Sequence, residues 1–252
     1  MKRTGFITRR RAIAAGLASV GGVVLARYGH ALPPTDGNLL RAGDDLTYVA
    51  HRTLLPGESL VKEYTTAELT SFPAVGTIDP ATSRDREIGD AYRRLQSGNF
   101  ADWRLSVEGR VARPATFSLA ELKQLQARTQ ITRHTCEEGW TAVGQWTGVP
   151  LSLVLDAAGM LPSARFVSFT SHDDGFSSID MRDALHPQTI LAYGMNGRDL
   201  PIEHGAPVRL RVERQMGYKS LKYLQRIVVS DEFDDGGRKG DIQNGWAWYT
   251  GI

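Results

Sequence analysis

The sequence predicts an α+β fold, a single domain of mixed strands and helices, and three observations predict it. Runs such as Trp103-Arg104-Leu105-Ser106-Val107-Glu108-Gly109 and Pro207-Val208-Arg209-Leu210-Arg211-Val212 alternate apolar and polar residues with the period of a strand. Between them stand helix signatures: the capping box Ser118-x-x-Glu121, and Leu151, Val154, Leu155 and Ala158 at i, i+3, i+4 and i+7. A chain of 252 residues, 41% hydrophobic and 23% charged, can fill one large core, which excludes a disordered or membrane-embedded body. The net charge of +2 gives no ground for nucleic-acid binding, since part of it sits at the N-terminus. A lone cysteine excludes internal disulfides.

In chain order, Met1 to Arg11 carries Lys2, Arg3, Arg9, Arg10 and Arg11 without an acid, and the apolar run Ala12 to Ala26 follows. This charged-then-apolar pattern predicts a secretory signal, and Thr8-Arg9-Arg10-Arg11-Ala12-Ile13 resembles a twin-arginine export signal. Small residues at Gly29-His30-Ala31 suit cleavage. Residues 1–31 therefore read as a leader, 32–252 as the mature domain, and the location as the periplasm. The rival reading, an uncleaved amphipathic anchor, is weakened by Gly16, Gly21 and Gly22.

Residues 32–99 show no sustained period and read as an irregular wrap with short helices near 66–69 and 90–95. Trp103 to Gly109 is a half-buried strand ended by glycine. Ser118 opens a helix to about Gln126, and a second helix starts near Pro150 and stops at Gly159. Arg165 to Thr170 is a strand running into Ser171-His172-Asp173-Asp174-Gly175, a solvated loop rather than a hard-metal site, because its adjacent carboxylates diverge. Asn196-Gly197 predicts a tight hairpin turn. In 207–212, Val208, Leu210 and Val212 point inward and Arg209 and Arg211 share the other face. That arginine face is either solvent-exposed, balanced by Glu203 or Glu213, or set against an anion. Gly217-Tyr218-Lys219-Ser220-Leu221-Lys222-Tyr223-Leu224 gathers a glycine, a hydroxyl and two lysines, the groups a phosphate needs, before another strand at Ile227 to Val229. It is not a Walker A loop. The aromatic tail Trp246-Ala247-Trp248-Tyr249 either clasps the core or forms a partner surface.

The single cysteine stands in Arg133-His134-Thr135-Cys136-Glu137-Glu138-Gly139-Trp140. As a strand, this stretch puts Thr132, His134 and Cys136 on one face and the thiol at the strand end. Cys136 is either a buried small hydrophobe or a thiolate favoured by Arg133 and His134.

Arg-x-x-Cys-x-Glu-Gly-Trp, followed by Trp146-x-Gly148-x-Pro150-Leu151, resembles the sulfite oxidase family of molybdenum enzymes, in particular its bacterial sulfoxide-reducing branch. A second match is Glu203-His204-Gly205-Ala206-Pro207-Val208-Arg209 with Gly217 to Lys222. The resemblance covers about Trp103 to Phe233 and implies the sulfite-oxidase-type molybdopterin-binding fold. It implies molybdenum with molybdopterin as cofactor, Cys136 as metal ligand and catalytic residue, and Ser171, His204, Arg209, Lys219, Ser220, Leu221 and Lys222 as cofactor-binding residues. The chemistry implied is two-electron oxygen-atom transfer, on a small-molecule or protein-bound sulfoxide, with sulfite oxidation as the nearest alternative. Twin-arginine routes carry proteins folded around a cofactor, which agrees. With no haem-binding Cys-x-x-Cys-His, an external electron-transfer partner is expected, such as a haem protein or quinone-linked membrane subunit. The short stretch after the second motif block leaves no room for the dimerisation domain of eukaryotic-type sulfite oxidases, so a monomer is expected. From other classes, a cofactor-free periplasmic binding module for a phosphorylated ligand, or a thiol enzyme using His134 or His172 as base, remain open on sequence.

Overall fold

The computed structural model describes Gly22, Leu32, residues 39–55 and residues 57–252, so the predicted leader lies almost wholly outside the described residues. Two five-stranded sheets share one core. The first runs β2 (Ala115–Ser118), β1 (Arg104–Gly109), β10 (Leu224–Ser230), β5 (Phe166–Ser171), β6 (Phe176–Asp180). In the second, β3 (Arg128–Thr135), β4 (Thr141–Pro150), β7 (Ile190–Met195) and β8 (Arg198–Asp199) are neighbours, and β9 (Arg209–Arg211) adds to β7. Every pairing is antiparallel except β1 with β10, which runs parallel.

The sequence pattern explains most of these elements. Trp103, Leu105 and Val107 are fully buried on the inner face of β1, and at Gly109, where φ is +90°, a Cβ would collide with the Val229 carbonyl. Ser118 and Glu121 form the reciprocal cap of α3 (Leu119–Gln124), which stops two residues short of the expected end. Helix α4 (Leu151–Ala157) buries Leu151, Val154 and Leu155 against the shared core, and Gly159, at φ +70°, follows it. Asn196 and Gly197 both take positive φ, as a two-residue hairpin turn between β7 and β8 requires.

Residues 32–99 depart from the expected irregular wrap. They contain an unexpected 16-residue helix, α1 (Leu39–Leu54), while the helices expected near 66–69 and 90–95 are present as a one-turn helix at Thr66–Glu68 and as α2 (Arg86–Ser97), with a further turn at Pro80–Thr82. The α1 pattern is hard to read because Arg52 occupies its buried face while Leu46 and Leu54 are exposed. Arg52 Nη2 lies 2.8 Å from Asp180 and 2.9 Å from Asp183, and the Tyr48 hydroxyl donates to Asp180 at 2.7 Å. The aromatic tail completes this corner: Tyr48 packs on Trp248 and Tyr249, and Trp248 Nε1 donates to Asp45 at 2.9 Å. The tail is thus a clasp. Replacing Arg52 with alanine strands two buried carboxylates, so a loss of roughly 3–5 kcal/mol is expected as a lower urea midpoint. A change below about 1 kcal/mol would refute this account.

Candidate functional site

Strand β3 delivers Cys136 to the mouth of a cleft between the two motif blocks. Its inner face carries buried Thr132 and His134, then Cys136, while Arg133 is exposed on the opposite side. The turn beyond closes on itself: Cys136 N–H donates to the Trp140 carbonyl at 2.9 Å, and Gly139, at φ +91°, donates to the Cys136 carbonyl at 3.1 Å. The thiol Sγ is 3.6 Å from Glu137 Oε2. Burial, reinforced by the charges of Glu137 and Glu138, pushes the thiol pKa up to about 11. The expected help from Arg133 and His134 towards thiolate is therefore absent. The thiol is protonated until something draws the proton off.

Six of the predicted site residues, Cys136, His204, Arg209, Ser220, Leu221 and Lys222, line this one cleft. Strand β9 explains how. Val208, Leu210 and Val212 enter the core as expected, but Arg209 and Arg211 are also buried, only 5% and 1% exposed. The solvent-facing reading of the arginine face is thereby overturned. Both guanidinium groups lie over the ring of Trp146, at 5.2 and 4.4 Å. Arg211 is neutralised by a two-point pair with Glu213, at 3.0 and 2.7 Å. Arg209 meets no carboxylate among the described residues; it donates to the carbonyls of His204 at 3.0 Å and Ser220 at 2.7 Å.

The cationic wall is electrostatically unfinished. Burial, with Arg211 nearby, lowers the Arg209 pKa to about 9, and burial with Arg209 nearby lowers Lys222 to about 8. Arg209 Nε is buried without a hydrogen-bond partner. A buried donor on an uncompensated cation is costly unless an anion arrives, so the donor set suits an anionic group. Lys222 meanwhile donates to the carbonyls of Val75 at 2.9 Å, Glu203 at 3.1 Å and Thr77.

Two predicted residues lie elsewhere. Lys219 is fully buried and spent on Asp241 at 2.6 Å and the Ser178 carbonyl at 2.8 Å, pointing away from the cleft. Its counter-charge comes from a distant segment, which sequence spacing did not signal. The Ser171 hydroxyl is consumed within its own loop, donating to Asp173 and accepting from Gly175 N–H at 2.8 Å.

Sequence reasoning assigned no ligand in 72–77, yet Phe72, Pro73, Val75 and Gly76 line the cleft. Phe72 sits edge-on to Trp140, Trp146 and His204, with ring centroids 5.3 to 5.8 Å apart. The signal available was an aromatic beside proline in a polar stretch, too weak to find it. The thiol-enzyme alternative loses its base. His134 Nδ1 is held by Arg211, and His172, buried down to a pKa of about 4, lines a different pocket. Among the described residues no cluster of His, Cys, Asp and Glu is arranged to hold a metal ion. A metal at Cys136 therefore needs ligands from outside the protein.

Residues 93–237 match the family described as oxidoreductase molybdopterin binding domain. A candidate protein-methionine-sulfoxide reductase subunit, YedZ1, from Azospira oryzae is 41% identical over 64% of this chain and 60% of its own length. The protein-methionine-sulfoxide reductase catalytic subunit MsrP of Xanthomonas campestris is 33% identical over 65% of this chain and 56% of its own. The chain thus spans less than two thirds of these relatives. Among solved structures, the sulfane dehydrogenase SoxCD from Paracoccus pantotrophus matches with a TM-score of 0.50 and 25% identity, over 52% of this chain and 39% of that one.

Proposed function

The chain belongs to the family of molybdopterin-binding oxidoreductase domains, with the mixed sulfite-oxidase-type fold, and we propose that it removes the oxygen atom from a sulfoxide, methionine sulfoxide in first place. The cofactor is molybdenum with molybdopterin, which when bound supplies a metal able to exchange two electrons and an oxygen atom. In the overall reaction the S–O bond breaks, the sulfur gains two electrons, and the oxygen leaves with two protons as water. The electrons come from an external carrier, a haem protein or quinone-linked membrane subunit. We assign 1–31 as a twin-arginine leader and the periplasm as the site of action; no helix among the described residues is long and apolar enough to cross a membrane.

In this reading Cys136 gives up its proton and holds the metal through sulfur. Arg209, with its unpartnered Nε, would hold the phosphate of the pterin; Lys222, whose three N–H groups already meet carbonyls, would add positive charge, and His204, Ser220 and Leu221 would line the site. Phe72 and Trp140, packed edge to face at the cleft, would exclude water from the group once bound. The observation that carries the proposal is the meeting of Cys136 and the orphaned Arg209 donor in one cleft, from separate parts of the chain. The relatives' names, protein-methionine-sulfoxide reductase subunits, support sulfoxide over sulfite.

Protein purified from a host that makes molybdopterin is expected to hold close to one molybdenum per chain. The reduced protein is expected to convert methionine sulfoxide to methionine far faster than the oxidised protein consumes sulfite. Metal-free protein from such a host would end the cofactor reading, and a preference for sulfite would reverse the direction.

A further inference from the structure

His134 is 7% exposed and forms part of the cleft wall, two residues from Cys136 on the same strand face. Its Nδ1 lies 2.7 Å from Arg211 Nη1. A guanidinium has only donors, so Nδ1 must be the acceptor and the ring proton must sit on Nε2. Arg211 is itself fixed by its double contact with Glu213, whose Oε1 also accepts from Gln130 Nε2 at 3.1 Å. A buried relay of Gln130, Glu213 and Arg211 thus sets the tautomer of one imidazole.

The ring is also fixed in orientation. Phe72 and Trp140 pack against it at 5.2 and 5.5 Å, and its Nε2 edge lies beside Gly217, where a Cβ would collide with it. The Nε2–H has no partner among the described residues. A pre-aimed N–H donor facing a cleft is what an oxygen bearing partial negative charge requires. Resting on the oxygen-atom-transfer reading above, we propose that His134 Nε2–H binds the oxygen of the substrate's S–O group beside Cys136, and that Arg211 is the positioning residue that keeps the proton there.

Two measurements test this on the molybdenum-loaded protein. In 15N-histidine-labelled oxidised protein, the His134 ring is expected to show a protonated Nε2 and a bare Nδ1, with the Nε2–H resonance moving when dimethyl sulfoxide is added as probe. His134→Leu is expected to lower kcat/KM for methionine sulfoxide roughly a hundred-fold with molybdenum content unchanged, while His134→Gln, which restores an acceptor and an N–H, stays within about ten-fold of wild type. A proton on Nδ1, an unmoved resonance, molybdenum loss in the folded His134→Leu protein, or equal losses in both variants would overturn the proposal. Should His134→Leu fail to fold, the resonance on unmutated protein still decides. A wild-type enzyme that reduces no sulfoxide would instead sink the functional reading, while the tautomer and the probe response remain measurable.

Discussion

Replacing Cys136 with alanine is expected to abolish molybdenum-linked turnover, by at least about a hundred-fold, in a protein that still folds. The thiol is buried, but among the described residues its side-chain partner is Glu137 alone, so the stability cost is set by one small side chain, about 1 kcal/mol. The chemical cost is far larger, because no other sulfur of comparable softness lies in the chain: the other sulfur atoms belong to thioethers. Serine at this position preserves the volume but offers a hard oxygen, so Cys136→Ser is expected to be inactive as well. Turnover, molybdenum per chain and the thermal midpoint, measured together, separate the two costs. Either variant turning over near the wild-type rate would remove Cys136 from the metal.

Arg209→Ala is expected to have the second largest effect, and its sign depends on what the cleft holds. Without an anion, Arg209 is a desolvated cation facing Arg211, and removing it relieves repulsion while freeing the carbonyls of His204 and Ser220. These terms oppose one another, so the cofactor-free protein loses only about 1–2 kcal/mol. With the anionic cofactor bound, the same guanidinium contributes a charge-assisted contact through Nε, and its loss is expected to lower molybdenum occupancy at least ten-fold. The thermal stabilisation on cofactor loading therefore shrinks in the variant, since a ligand stabilises only as far as it binds. Arg209→Lys is expected to fare little better, because a compact ammonium lacks the planar fork that reaches the His204 and Ser220 carbonyls while presenting Nε to a third acceptor. Full occupancy in both variants would refute the assignment.

The legible parts of this molecule are those that depend on short spacings. The inner face of β9, the shared face of Thr132, His134 and Cys136, the Ser118 cap and the Asn196-Gly197 turn each follow from residues a few positions apart. What escaped depends on partners far along the chain. Arg211 is buried because the distant ring of Trp146 receives it, beside the near counter-charge Glu213 that the sequence already offered, and Lys219 is buried because Asp241 receives it. Helix α1 defied its pattern because its buried arginine answers to Asp180 and Asp183 on another element. The cleft itself was half visible: its cysteine and arginine stood out, whereas the Phe72 segment that roofs it carried no local signature.

The clasp between Tyr48 and the Trp248-Tyr249 pair has a temporal side. A ribosome releases residue 48 some two hundred positions before residue 248, so the aromatic flank of α1 waits, uncovered, until synthesis is nearly over. The flank of α1 is then among the last parts of the described fold to be sealed.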